Sequence, residues 1–157
     1  MKRVVFIAST GGHLNELLQL KSIFALHEYL IITEGGPTTK HLRQQYPDRV
    51  RYLRFGSREH LLSYAFKFIL NALLSLYYVL RYRPQVVVST GTHTAVVFMY
   101  LSKLLLRSKL IYLETYANVH RGNLAGKLLH PIVDHYFVQW ESLKAVYPKA
   151  LYVGKIY

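Results

Sequence analysis

The chain has 157 residues, with 20 Lys+Arg against 8 Asp+Glu, a formal net charge of +12, 52% hydrophobic residues and no cysteine. This length suits one domain with one sizeable core; the composition excludes intrinsic disorder, a disulfide scaffold and thiolate metal sites. A basic chain with 14 Tyr and 7 Phe favours an anionic partner: a nucleic acid, a phosphorylated ligand or an acidic membrane.

Lys2 and Arg3 precede an apolar run, but Val4 to Ala8 is too short for a secretory signal. Lys2 to Ala8 instead predicts a buried strand, closed by the turn Ser9-Thr10-Gly11-Gly12. Leu14, Leu17, Leu18 and Ile23 recur at helical spacing. Tyr29 to Thr33 predicts a second strand, closed by Glu34-Gly35-Gly36-Pro37, and Thr38 to Gln45 a short helix stopped before Pro47. Arg51 to Phe55 predicts a third strand, and Leu61 to Tyr82 a long apolar helix ended by Arg83-Pro84. Gln85 to Ser89 reads as a strand, Thr90-Gly91 as a turn, and the stretch to Leu106 as a second apolar helix. A strand over Lys109 to Leu113, a loop over Glu114 to Gly122 and a helix over Asn123 to His130 follow. His135 to Val138, Glu141 to Tyr147 and Ala150 to Val153 complete a strand, helix, strand ending.

Strands and helices alternate, and the strands are apolar on both faces. That pattern predicts an α/β, Rossmann-like parallel sheet with helices on both faces. No repeat or internal linker interrupts it, so residues 1–157 read as a single domain.

Ligands of such sheets bind beyond the carboxyl ends of the strands. Three of these ends carry chemistry. In the first, Gly11 and Gly12 let a ligand approach the backbone, and free amides at the next helix start favour anions. His13 would stand at that helix start, where the positive dipole end favours the neutral ring of a general base. A plain tight turn also accounts for two glycines. The second end is Ser89-Thr90-Gly91-Thr92-His93-Thr94, with hydroxyls suited to capping or to phosphate or sugar. The third is Glu114, a carboxylate in an acid-poor chain, placed to accept from ligand hydroxyls, to orient His13 or to pair with Arg121. The eight His show no metal-ligand spacing, so no metal is expected. No G-x-G-x-x-G precedes an acidic strand end, which argues against a dinucleotide enzyme.

The 22-residue helix over Leu61 to Tyr82 would be roughly 33 Å long. Up to Ser75 the non-aromatic polar positions are Ser63, Lys67, Asn71 and Ser75, which form one stripe, and the rest of the circumference there is apolar or Tyr. One face suffices to cover a sheet, which leaves apolar surface for a bilayer or a partner. Leu61, Phe66, Lys67, Phe68, Leu70, Leu74, Tyr78 and Arg81 are the membrane-associating candidates. Lys67 near the middle favours an interfacial helix over a spanning one. From His60 to Leu113 there are six basic residues and no acidic one, which suits an anionic membrane surface. No helix shows a nucleic-acid recognition pattern, so nucleic acid is not expected as a partner.

Ser9-Thr-Gly-Gly-His13, Val87-Val-Ser-Thr-Gly91, Tyr112-Leu-Glu-Thr115, Gly126-Lys-Leu-Leu-His-Pro131, Asp134 to Glu141 and Val146-Tyr-Pro-Lys149 occur in that order. As a set they resemble the PssD/CpsF-type membrane-associated subunits of two-component glycosyltransferases in bacterial capsule and exopolysaccharide synthesis. They are also similar to the acceptor-side subunit of the dolichol-pathway N-acetylglucosaminyltransferase and to the N-terminal half of MurG. The resemblance implies the N-terminal half of a GT-B enzyme at the cytoplasmic face of a membrane. A second subunit would carry the UDP-sugar-binding half, and the acceptor would be a polyprenyl-diphosphate-linked saccharide. Catalysis would use no metal or other cofactor. By the same resemblance, His13 and Glu114 are the catalytic candidates, and Gly11, Gly12, Ser89, Thr90, Gly91, Asn118 and Arg121 contact substrate. Asn118 stands where many relatives carry a basic residue, and His93-Thr94 replaces smaller residues usual after the second loop. The chain opens directly on its first strand, as expected of the bacterial type, and ends where a one-chain enzyme would continue into its second half. A non-catalytic membrane adaptor that recruits the transferase is the alternative.

Overall fold

The computed structural model describes residues 1–54, 61–91 and 93–156, with side chains of the long helix described from Phe66 onward. Among these residues, seven strands form one sheet: β1 (Arg3–Ala8), β2 (Glu28–Gly35), β3 (Val50–Arg54), β4 (Val86–Gly91), β5 (Lys109–Leu113), β6 (His135–Val138) and β7 (Leu151–Tyr152). All pairs are parallel in the order β3-β2-β1-β4-β5-β6-β7. The order reverses between β1 and β4, so the crevice beyond their carboxyl ends is the switch point where such sheets bind ligands.

Among the described residues, six α-helices connect the strands: α1 (Gly12–Gln19), α2 (Lys21–Phe24), α3 (Leu42–Gln45), α4 (Leu61–Tyr82), α5 (His93–Leu106) and α6 (Leu124–Leu129). Alternate strand residues feed two cores, as a period of two requires. Val5, Ile7, Leu30, Ile32, Val87 and Leu110 pack toward Val79 of α4 and Phe98 and Met99 of α5. Val4, Phe6, Ala8 and Ile31 pack on the other face against Leu14 and Leu17 of α1, Phe24 of α2 and Leu42 of α3.

The structure trims several expected helices. The stretch over 14–23 breaks at Leu20, which leaves helical geometry at ψ 12°. The stretch over 38–45 splits into a 3-10 turn at Pro37–Thr39 and α3. There the Thr39 hydroxyl donates to the Glu34 carbonyl and accepts from the Gly36 amide, offering the backbone a local alternative to helix. Glu141–Ala145 is a 3-10 turn rather than an α-helix. β3 spans Val50–Arg54, and Phe55 lies outside the described residues.

Helix α4 turns its polar stripe inward. Asn71 accepts from the Arg54 amide at 2.7 Å and donates to its carbonyl at 2.8 Å, fastening the helix to the end of β3. Ser75 is buried, and Lys67 lines a cleft against α5. Leu74 and Tyr78 pack against the sheet-side core. This corrects their placement on the membrane-associating surface, because they follow the buried Ser75 and Val79 side of the helix. The outward face is Phe66, Ile69, Leu73, Tyr77 and Leu80, each more than half exposed. Phe68 is also exposed, Leu70 is half-buried and Arg81 is exposed near the helix end. The Leu61 side chain lies outside the described residues. Among the described residues no helix is long and apolar enough to cross a membrane.

The opposite face of the sheet is less covered than its apolar strands predict. A groove of about 800 Å³ lies open over β4, β5 and β6, floored by Val86, Val88, Ile111 and Phe137. Ile23, Leu26, Val153 and Ile156 form its rim.

Candidate functional site at the switch point of the sheet

The two loops at the switch point interlock. The Ser9 amide donates to the Gly91 carbonyl at 3.0 Å. Gly11 precedes α1 at φ +83°, a conformation that favours glycine, and a Cβ at Gly11 or Gly12 would point into open space. The loop therefore presents bare backbone outward. His13 leans back over the second loop. Its Nδ1 lies 2.8 Å from the Thr90 carbonyl oxygen, and the Thr90 hydroxyl donates to the His13 carbonyl at 2.6 Å. A carbonyl only accepts, so Nδ1 carries the proton in this contact and Nε2 keeps its lone pair in the neutral ring. Gly91, at φ +114°, makes room for this: a Cβ there would sit 3.0 Å from His13 Nδ1 and 3.3 Å from the Tyr112 hydroxyl.

Ser89, Thr90 and Gly91 are buried beneath His13. The Ser89 hydroxyl accepts from the Gly91 amide, and the Thr90 hydroxyl is spent on His13. They shape the loop and hold the imidazole. Thr92 lies outside the described residues.

Glu114 is fully buried at the end of β5. Its Oε1 accepts from Asn118 and Asn123 at 2.8 Å each, and its Oε2 from the Tyr136 hydroxyl at 2.6 Å. Burial lifts its carboxyl above the ordinary carboxylate range, opposed by Tyr136, Asn118 and the Thr115 amide, with His13 a smaller influence. Burial and then the Glu114 charge likewise push the Tyr112 and Tyr136 phenols up. Asn123 passes the arrangement on: its Oδ1 accepts from the Gly126 amide, as the α6 N-cap, and from the Tyr112 hydroxyl at 3.3 Å. Glu114 is thus linked through Asn123 to Tyr112, whose hydroxyl lies beside Gly91. A Cβ on Gly126 would collide with Tyr136 and Glu114, which explains a glycine inside a helix. Asn118 spends its amide on Glu114. Arg121 is exposed, and among the described residues no ion pair joins it to Glu114.

Two carboxylates enter the site that the sequence reading passed over. Glu16, one turn after His13 on α1, accepts from the Thr115 hydroxyl at 2.8 Å and the Tyr116 amide at 3.0 Å, tying α1 to the loop after β5. Glu34, read only as part of a turn, is buried at the end of β2, accepts from the Thr10 hydroxyl and lies 3.6 Å from His93 Nε2. The signal that singled out Glu114, an acid at a strand end in an acid-poor chain, applies equally to Glu34.

The profile of the family described as "Oligosaccharide biosynthesis protein Alg14 like" matches residues 3–156. The chain is 28% identical to the mouse protein named UDP-N-acetylglucosamine transferase subunit ALG14, over 98% of this chain and 82% of that one. To the protein of the same name from Yarrowia lipolytica it is 29% identical, over 96% of this chain and 66% of that one. Among solved structures, Acinetobacter baumannii MurG superposes with TM-score 0.71 at 15% identity, over 90% of this chain and 43% of MurG. The UDP-N-acetylglucosamine 2-epimerase of Rickettsia bellii superposes with TM-score 0.72 at 16% identity, over 99% of this chain and 45% of the epimerase. The chain spans less than half of either solved protein, and its fold is that of the N-terminal half of a GT-B glycosyltransferase. With nearly its whole length matched, the chain belongs to the Alg14-like family of oligosaccharide biosynthesis proteins.

Proposed function

We propose that this chain is the acceptor-binding, membrane-associating subunit of a two-component, inverting GT-B glycosyltransferase of the PssD/CpsF type. It works at the cytoplasmic face of the membrane, in capsule or exopolysaccharide synthesis. Its acceptor is a polyprenyl-diphosphate-linked saccharide, and a second subunit carries the UDP-sugar, with UDP-N-acetylglucosamine the donor that the relatives' names support. The outward face of α4 rests in the membrane interface. Alone, the chain turns over little or nothing, since the donor half of the cleft belongs to the partner.

The observation that carries this reading is His13, with Nδ1 tied to the Thr90 carbonyl and Nε2 left to a ligand. Nε2 takes the proton of the acceptor hydroxyl as its oxygen bonds to the anomeric carbon. The bond from that carbon to the UDP oxygen breaks, and its electron pair leaves with UDP. Gly11 and Gly12 offer backbone to the diphosphate, while Asn118 and Arg121 border the acceptor. The adaptor reading draws on a different observation: Ser89, Thr90 and Glu114 face inward and serve the loops. Transfer by the co-purified complex decides between them. His13→Ala should lower turnover about 100-fold or more if His13 is the base; full turnover would leave the chain an adaptor.

A further inference from the structure

Glu34 is a buried group to which the mechanism above assigns no role. It lies on β2 in alternation with Leu30 and Ile32, facing α4 and α5, and its side chain is 3% exposed. Its two oxygens are poorly served. Oε2 takes a 3.3 Å bond from the Thr10 hydroxyl, and Oε1 has no hydrogen-bond donor within reach, the His93 ring nitrogen standing 3.6 Å away. Glu114, at the end of β5, receives side-chain donors at 2.6 to 2.8 Å. Burial lifts the Glu34 carboxyl above its ordinary range, against the pull of His93 and Thr10. An ill-satisfied buried carboxylate costs stability, and its neighbours on β2 show that this strand accepts apolar residues.

His93 opens α5 with 39% of its side chain exposed. It lines a small cleft with Lys67 and Asn71 of α4, and it stands at the mouth of an apolar groove of about 330 Å³. Phe68, Val96, Val97, Leu124 and Leu128 line that groove. Among the described residues, Glu34 from β2 and Lys67 from α4 are charged groups that face His93, and Asn123, Leu124, Ala125 and Leu128 line the groove beside it.

We infer that Glu34 is a positioning residue that holds the His93 imidazole for the diphosphate of a polyprenyl carrier, whose first isoprene units lie in the groove between α4, α5 and α6. This rests on the acceptor-subunit reading. A carboxylate behind an imidazole fixes its orientation and strengthens it as a partner for an anion. Lys67 brings a positive charge to the same mouth, opposite in sign to a diphosphate. A nucleotide sugar has the same diphosphate chemistry, but an apolar groove beside the head selects the molecule with a hydrocarbon tail.

The test uses the full chain with ¹⁵N-labelled histidine and three probes: farnesyl diphosphate, inorganic pyrophosphate and UDP-N-acetylglucosamine. Farnesyl diphosphate should shift the ring signals of His93, assigned by their loss in His93→Gln, and should bind more tightly than either other probe. Glu34→Gln should weaken that binding about tenfold, as expected for loss of one buried carboxylate standing 3.6 Å behind the imidazole. Glu34→Asp should recover part of the loss, and adding His93→Gln to Glu34→Gln should lose little more. Leu128→Ser should weaken farnesyl diphosphate and spare pyrophosphate. Wild-type affinity in Glu34→Gln, or an equal response to UDP-N-acetylglucosamine, would overturn the inference. Should Glu34→Gln fold poorly, wild-type affinity in His93→Gln overturns it as well. A complex that transfers no sugar, while farnesyl diphosphate binding still depends on this pair, would sink the transfer reading and leave the pair standing.

Discussion

At the scale of single residues, the site depends on close approaches that only certain side chains permit. Gly91→Ala meets two obstacles, the φ of +114° and a Cβ 3.0 Å from the His13 ring. We expect a loss of about 1–3 kcal/mol in urea unfolding, and a displaced imidazole that lowers turnover of the complex as well. Glu34→Gln should act in the opposite sense on stability. A carboxyl whose folded pKa lies above its unfolded value holds its proton more tightly when folded, so its favourable contribution is present at low pH and is lost as pH rises through the raised value. The variant should therefore gain on the wild type in thermal midpoint as pH rises above the ordinary carboxyl value of 4.5; a difference constant with pH would mean that Glu34 does not titrate. His13 and Gly91 were legible as loop residues because glycine and histidine stand out after a strand. The Thr90 carbonyl that sets the tautomer was not, since it depends on how β1 and β4 meet. Glu114 was legible as unusual, but its partners Asn123 and Tyr136 lie on later elements and carry no local signal.

At the scale of the element, α4 was legible in length and period, and its orientation was not. A polar stripe on an apolar helix reads as the solvent side. Here Asn71 is drawn to the Arg54 backbone and Ser75 is buried, so the apolar majority is turned outward. Hydrogen bonds to a strand end outweigh the usual inside-outside rule, and nothing in the helix itself reports them. The two sides should respond differently to mutation. Val79→Ala removes fully buried carbons and should cost about 1–3 kcal/mol in unfolding free energy. Ile69→Ser with Leu73→Ser, both about 60% exposed, should leave stability within about 0.5 kcal/mol and markedly reduce cosedimentation with anionic vesicles. Undiminished vesicle binding would move the membrane contact away from α4.

Across the whole molecule, the alternation of strands and helices made the parallel sheet legible, because few other arrangements bury strands that are apolar on both faces. The same feature concealed the open groove. A strand face awaiting a second protein has the same sequence pattern as one already covered by a helix. The result is a molecule with exposed apolar surface on opposite faces of the sheet: the outward side of α4 on one, and the groove over Val86, Val88, Ile111 and Phe137 on the other. The switch-point loops lie at the strand ends between them. On the proposed function, an acceptor delivered from the membrane on one side and a donor subunit seated on the other would meet at His13, and the groove would be that subunit's seat. Leu26→Glu and Ile156→Glu place charge on the groove rim at positions 64% and 39% exposed, where folding should be little affected. They should abolish co-purification with that subunit and leave vesicle binding of the chain unchanged. Ile69→Ser with Leu73→Ser should do the reverse. If either pair of changes disturbs both associations, the two faces are not independent, and a single shared surface has to replace this arrangement.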